Sequence, residues 1–178
     1  WEYLLNPFGK AKVFLALYGE KVVGITTSVP LKFQKNKKTY NGFRTQNVLT
    51  DINFRGMGIF SNLLNLNDKY LDQNSDINIS FPNEKSLPFF EKNNWKEICK
   101  IPLISKTIND KVNYKLKYDL INKFTDIHED IWKNNTRNNF DIIWSKKFSN
   151  WRYFLNPKSR YEIFEIKNDT KTIGYLVL

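Results

Sequence analysis

The residues best suited to chemistry are Asn53-Phe54-Arg55-Gly56-Met57-Gly58-Ile59-Phe60. They follow a run patterned as a strand, Arg44 to Ile52, and open a run patterned as a helix, Ile59 to Leu71. A strand, then glycines, then a helix start is how a backbone builds an anion site. Gly56 and Gly58 allow close approach and dihedrals that a side chain would block. The N–H groups of a first helical turn have no intrahelical partners, and the helix dipole places about half a positive charge there. Arg55 adds a full charge with paired donors. Such a stretch suits a phosphate or pyrophosphate; a tight turn beside a surface arginine is the plainer alternative.

Other chemistry is poorly supplied. The chain has one His and one Cys, so an ordinary zinc site is excluded, and a Ser-His-Asp triad would rest on His128 alone. Cys99 cannot form an internal disulfide, which fits a reducing, cytoplasmic setting. It lies in an apolar run, Ile98 to Ile104, and is expected to be buried filler. The 178 residues carry a net charge of +10, which favours anionic partners. The lysines are scattered, however, and only Lys35, Lys37 and Lys38 cluster, at an expected hairpin tip. That spread argues against a nucleic-acid face. No run approaches the roughly 20 apolar residues of a membrane span.

The surrounding elements must hold the glycine stretch in place. Apolar residues make up 41% of the chain and aromatics 16%, enough for a packed core in one domain or a domain plus part of another. Strands are expected at Lys12 to Tyr18, Val22 to Phe33, Tyr40 to Ile52 and Asp76 to Phe81, with a turn at Gly19-Glu20. Ile59, Phe60, Leu63, Leu64, Tyr70 and Leu71 share one helical face. A short helix is expected from Ser86 to Lys92, capped by Ser86 or Asn83. Lys96 to Lys106 and Val112 to Tyr118 read as strands, and Asp119 to Leu155 as helical with breaks near Asn134-Asn135 and Asn138-Asn139. Tyr161 to Ile166 and Thr172 to Leu178 form a last hairpin.

The two ends of the chain are alike. Trp1-Glu-Tyr-Leu-Leu-Asn-Pro7 aligns with Trp151-Arg-Tyr-Phe-Leu-Asn-Pro157 at an offset of 150 residues. The same offset matches Val13-Phe14 with Ile163-Phe164, and Lys21 to Gly24 with Lys171 to Gly174. Two tandem copies are expected: residues 1–107 as the first unit without its opening helices, and 108–178 as a linking strand and the start of a second. The chain opens at Trp1 and its sole methionine is Met57, so elements preceding Trp1 are also expected.

Together these motifs resemble the GCN5-related N-acetyltransferase (GNAT) superfamily. Its hallmark, Arg/Gln-x-x-Gly-x-Gly/Ala, is matched by Arg55-Gly-Met-Gly58 and departs at Phe60. Its second block, an aromatic-rich helix after the next strand, is similar to Phe89-Phe90-Glu91-Lys92-Asn93-Asn94-Trp95. The resemblance covers about residues 1 to 106 and extends to tandem, double-domain members. It implies an α/β (α+β) fold with a mixed, mostly antiparallel central sheet flanked by helices. It implies acetyl-CoA as co-substrate and no metal.

Residue by residue, the resemblance gives the pyrophosphate to the backbone of Arg55, Gly56, Met57, Gly58, Ile59, Phe60 and Ser61. Leu49 and Thr50 would pair with the pantetheine arm, and Asn83 and Phe90 would line the far side. The family's usual acid, a tyrosine, falls on Phe90, which has no proton to give. Asp51 is the nearest carboxylate for a base, with strand-end hydrogen bonding as its plainer role. Tyr40 and Gln46 are candidates to meet the acceptor. The implied activity is transfer of an acetyl group to a primary amine of a small molecule or amino sugar. A GNAT-like binding module without chemistry is the alternative, and a homo-oligomer is compatible with either.

Overall fold

The structure is a computed structural model describing residues 1–102, 105, 116–135 and 140–178. Three strands open it as an antiparallel meander: β1 (Lys12–Tyr18), β2 (Lys21–Lys35) and β3 (Lys38–Thr50). The first turn uses Gly19 at φ 58°, and the second Asn36 and Lys37 at φ 49° and 65°. Paired positive φ values are what a tight hairpin between right-twisted strands demands. The lysine cluster is thus a solvated hairpin tip. A 3-10 turn (Ile52–Phe54) leads into α1 (Ile59–Asn74) and then β4 (Ile77–Ser80), which lies parallel to β3. The sheet order is β1-β2-β3-β4. It is a mixed, mostly antiparallel sheet flanked by helices.

Helix α1 covers one face with Leu63, Leu64 and Leu71, all buried. Among them Asn67 is fully buried yet satisfied. Its Oδ1 accepts from the Ser28 hydroxyl at 2.7 Å, and its Nδ2 donates to Thr45 Oγ1 at 3.1 Å. Ser28 and Thr45 also share a hydrogen bond of 3.0 Å. This closed triangle fixes the helix over two strands, because a half-satisfied buried network costs more than an apolar one.

After β4 come α2 (Leu87–Lys92), β5 (Lys117–Leu120), α3 (Asp126–Asn135), β6 (Asp141–Ile142), α4 (Lys146–Ser149) and a single π turn (Asn150–Phe154). The last hairpin is β7 (Ile163–Asn168) and β8 (Lys171–Val177), which form a second sheet of order β5-β7-β8. Leu31 and Phe33 of β2 pack with Phe148 and Trp151, with Trp1, Phe8, Ile77 and Ile79 around them. The second face of the first sheet is therefore covered by residues from both ends of the chain.

The two ends also match in detail. Trp1 stacks on Trp151 with ring centroids 4.6 Å apart. Asn6 Oδ1 accepts from Phe8 N–H, and Asn156 Oδ1 from Lys158 N–H, each at 2.9 Å. The β1-β2 and β7-β8 hairpins share their register at the same offset, with the irregularity at Ala16/Leu17 repeated at Ile166/Lys167. The positive φ of Gly19 recurs at Asp169, at 55°. The expected boundary at 107–108 falls outside the described residues.

Two expectations need correcting. Residues 96–102 of the expected strand Lys96 to Lys106 are not a strand. Their alternating pattern finds no strand to pair with among the described residues, Ile98 is 86% exposed, and Cys99 is exposed rather than buried. Most of the expected strand Val112 to Tyr118, and the break at Asn138-Asn139, lie outside the described residues. The helical reading of Asp119 to Leu155 fails at both ends of α3. Asp119 and Leu120 belong to β5, and Asp141-Ile142 pairs with the end of β2 instead. There Phe140 stacks on Phe33 with centroids 5.2 Å apart. An aromatic contact with the neighbouring sheet overrides local helix patterning.

His128, expected on a helix, is buried at the start of α3. Its Nδ1 takes the Thr125 backbone N–H at 3.1 Å, as in a capping box, and its Nε2 lies 3.4 Å from Glu165. Burial pushes its pKa below the ordinary value, and the nearby Glu165 only partly opposes this.

Two tests follow from this packing. Asn67→Ala should lower unfolding stability by about 2–4 kcal/mol in urea titrations, because Ser28 and Thr45 lose their partner. Because the folded pKa of His128 is depressed, its neutral form stabilises the fold above the ordinary value of 6.5, and that stability is lost as pH falls. Thermal midpoints measured from about pH 7 to about pH 5 should drop more steeply for the native chain than for His128→Gln.

Candidate functional site

Strands β3 and β4 pair only from Gly42↔Ile77 to Thr45↔Ser80. The pairing begins at a glycine because a Cβ on residue 42 would sit 2.4 Å from the Ile77 carbonyl. Beyond Thr45 the strands part. Between Thr27↔Gln46 and Ile25↔Leu49 the β2-β3 register slips, with Asn47 at φ 53°. A bulge of this kind bends its strand and raises its twist, and here it carries β3 away from β4. The Asn47 amide is held by a hydrogen bond from its Nδ2 to the Tyr3 hydroxyl.

The gap is a cleft of about 400 Å³. Gln46, Asn47, Val48 and Leu49 line one wall, and Ser80, Phe81, Pro82, Asn83 and Phe90 the other. Gln46, Leu49 and Thr50 of β3 pair with β2 on one edge, and among the described residues no strand pairs with them on the other. That free edge can take an extended ligand through main-chain hydrogen bonds. Asn83 closes its wall as a cap, its Oδ1 accepting from the N–H groups of Lys85 and Ser86 at 3.1 and 3.0 Å. Phe90 is buried, edge-on to Trp95 and Phe60.

The glycine stretch follows the end of β3, whose residues 46–49 line the cleft. Gly56 and Gly58 have φ of 79° and 75°, the left-handed region, with open space where a Cβ would stand. Gly58 is the N-cap of α1, no side chain caps the helix there, and its first turn carries no acidic residue. The N–H groups that an N-cap side chain would take are left for a ligand. Arg55 is exposed, its Nε reaching the Thr50 carbonyl at 3.4 Å, which ties it to the end of β3. Met57 is 66% exposed. Phe60 packs on Phe89 with centroids 4.9 Å apart, so it docks α1 on α2 rather than filling the turn. Trp95 Nε1 donates to Asp68 at 3.1 Å and fastens the same two helices.

Helix α1 is aimed by a third glycine. Gly24 pairs with Thr50, and a Cβ on it would lie 2.8 Å from Ile59 and 2.9 Å from Leu63. The helix start therefore rests directly on β2, beside the end of β3.

Asp51 lies away from the cleft walls. Its carboxylate pairs with Lys21 at 2.8 Å and accepts from Asn53 N–H at 2.9 Å. The Lys21 hydrogen bond, then that of Asn53, holds its pKa below the ordinary range. Tyr40 sits at the far hairpin with Phe140, away from the cleft, whereas Gln46 lines it. Sequence reasoning missed Arg44, which lines the cleft and pairs with Glu2 at 2.6 Å, and the bulge at Asn47. An asparagine inside a β pattern was the available signal for the bulge, since Asn tolerates positive φ.

The fold is shared with a solved structure. A protein from Enterococcus faecalis V583, described as a probable N-acyltransferase, superposes with a TM-score of 0.63 at 12% identity, covering 94% of this chain and 44% of its own. This is the GCN5-related N-acetyltransferase fold. The chain spans less than half the length of that structure. A predicted acetyltransferase from Clostridium acetobutylicum with acetyl-CoA gives 0.46 at 15% identity, over 53% of this chain and 64% of that one. Glucosamine-6-phosphate N-acetyltransferase from Arabidopsis thaliana gives 0.43 at 17%, over 56% and 67%. No family model and no curated protein matches the sequence.

Gly24→Val should cost about 1–3 kcal/mol by overpacking the start of α1. Chemical denaturation checks this; an unchanged midpoint would mean that the helix does not rest on β2.

Proposed function

We propose that this chain is the acyl-CoA-binding part of an N-acyltransferase, acetyl-CoA being the simplest donor. The reading rests on one observation: the uncapped, glycine-led start of α1 follows directly on the end of β3, the strand whose residues 46–49 line the cleft. In it, the backbone from Arg55 to Ser61 holds the pyrophosphate and Arg55 adds charge. Leu49 and Thr50 offer the free edge of β3 to the pantetheine arm, with Asn83 and Phe90 opposite. The donor supplies an activated thioester. The amine nitrogen of the acceptor forms a bond to the acyl carbon as the carbon–sulfur bond breaks; the amine loses a proton and the thiolate gains one.

Holding amine and thioester together supplies much of the rate in such a step. We assign Asp51 to holding the corner between β3 and α1, and proton removal to water. The acceptor is a small amine or amino sugar. The second half, with its matching hairpin and its Trp1–Trp151 stack, we read as the opening of a second unit of the same kind. The protein's setting we take as cytoplasmic.

A second reading is a binding module without chemistry. It is favoured by the cleft walls, where no Tyr, His or carboxylate stands among the lining residues. Calorimetric titration with acetyl-CoA tests both. Binding at about 0.5 mM or tighter is expected, weakened tenfold or more in Gly58→Val, and no heat at that concentration overturns the proposal. Thiol release across an amine panel separates enzyme from module.

A further inference from the structure

The cleft has one charged side chain on its walls, and it is a cation. Arg44 lies on β3 at the closed end, where the strands are still paired. Its face of the sheet is the one opposite α1, since its neighbour Thr45 bonds to Asn67 of that helix. Three residues of strand, about 10 Å, separate it from the Asn47 bulge. The proposed pyrophosphate site, Arg55 to Ser61, follows the opposite end of β3. Whatever meets the acyl group from the far side does so beside Arg44.

The charges around Arg44 do not balance. Glu2 takes one of its terminal nitrogens at 2.6 Å, with both side chains about 70% covered. The Arg44 Nε is buried and has no acceptor among the described residues. Arg152, the residue after the stacked Trp151, adds a second positive charge felt at Arg44. Two guanidinium charges thus stand near one carboxylate, and it is Arg44 that pairs with it. A half-buried cation pair of this kind is one anion short of neutrality, and arginine suits an oxygen anion better than any other cation does.

We propose that the acceptor amine carries its own anionic group, a carboxylate or a phosphate, and that Arg44 and Arg152 hold it. Both guanidinium groups then find an acceptor, and the amine faces the Asn47 bulge where the thioester ends. The same positive charge lowers the pKa of an incoming ammonium, so more of the reactive free amine is present. Polyamines, which bring only positive charge, are excluded. The subsite joins the two ends of the chain, because Glu2 and Arg152 stand at matching positions of the repeated Trp-x-Tyr segment. This inference rests on the acyltransferase reading for its chemistry but not for its anion.

Product-like probes test it by calorimetry on the whole chain, with and without saturating CoA. The probes are N-acetylglycine, N-acetylglycinamide, N-acetyl-O-phosphoethanolamine and N-acetylputrescine. One or both anionic probes should bind at least tenfold more tightly than the amide, and N-acetylputrescine not at all. Arg44→Gln and Arg152→Gln should each remove that preference, with acetyl-CoA titrations of the same variants reporting that they are folded. The carboxylate and phosphate arms tell which anion the site takes. Equal binding of all four probes, or a preference that survives both variants, overturns the proposal. If acetyl-CoA fails to bind while the anion preference stands and depends on Arg44, the acyltransferase reading falls and the anion subsite remains. If acetyl-CoA binds and no anion preference appears, the reverse holds.

Discussion

The structure turns on two parallel strands that pair for four residues and then separate. The pairing takes up the whole of β4, which ends at Ser80, while β3 runs on to Thr50. Here Gly42 brings β3 against the Ile77 carbonyl, and the bulge at Asn47 bends β3 off line shortly after Thr45↔Ser80. The result is a strand edge with unpaired backbone groups on the wall of a cleft. Such an edge is a hazard on an open surface and a binding device inside a groove.

Everything else keeps that gap aligned with the start of α1. The Ser28-Thr45-Asn67 triangle locks the helix to β2 and β3, and Thr45 is also the last residue paired before the strands part. Gly24 lets Ile59 and Leu63 settle on β2 next to Thr50. Phe60, Phe89 and Phe90 then join α1 to α2, which carries the far wall. The helix start and the cleft are one rigid corner, with the corner carboxylate Asp51 tied to Lys21. On the other face, the aromatic packing of Trp1, Phe8, Phe148 and Trp151 makes the second half part of the same wall as Arg44 and Glu2.

Much of the first half was legible because local signals agreed. Gly19-Glu20 and the lysine-rich turn mark hairpins, and Gly56 and Gly58 mark a backbone that needs positive φ. Ile59, Leu63, Leu64 and Leu71 keep helical spacing on a face that is buried. The match between Trp1 and Trp151 was visible as letters, but not that the two rings would stack. What escaped was tertiary in origin. Residues 96–102 alternate like a strand and pair with nothing described, and Asp141-Ile142 becomes a strand because β2 overshoots its partner hairpin. Arg44 reads as one more polar strand residue until the fold sets it beside Glu2 and Arg152. The bulge at Asn47 leaves one local trace, an asparagine inside a β pattern, but its place is set by how β2 and β3 register.

The central claim is that one ligand spans the start of α1 and the free edge of β3. Backbone amide NMR during an acetyl-CoA titration tests it most directly. The account predicts that the amides of Gly56, Gly58 and Ser61 shift together with those of Val48 and Thr50, along a single saturating curve. Shifts confined to the scattered surface lysines, or to the α1 start without β3, would contradict it.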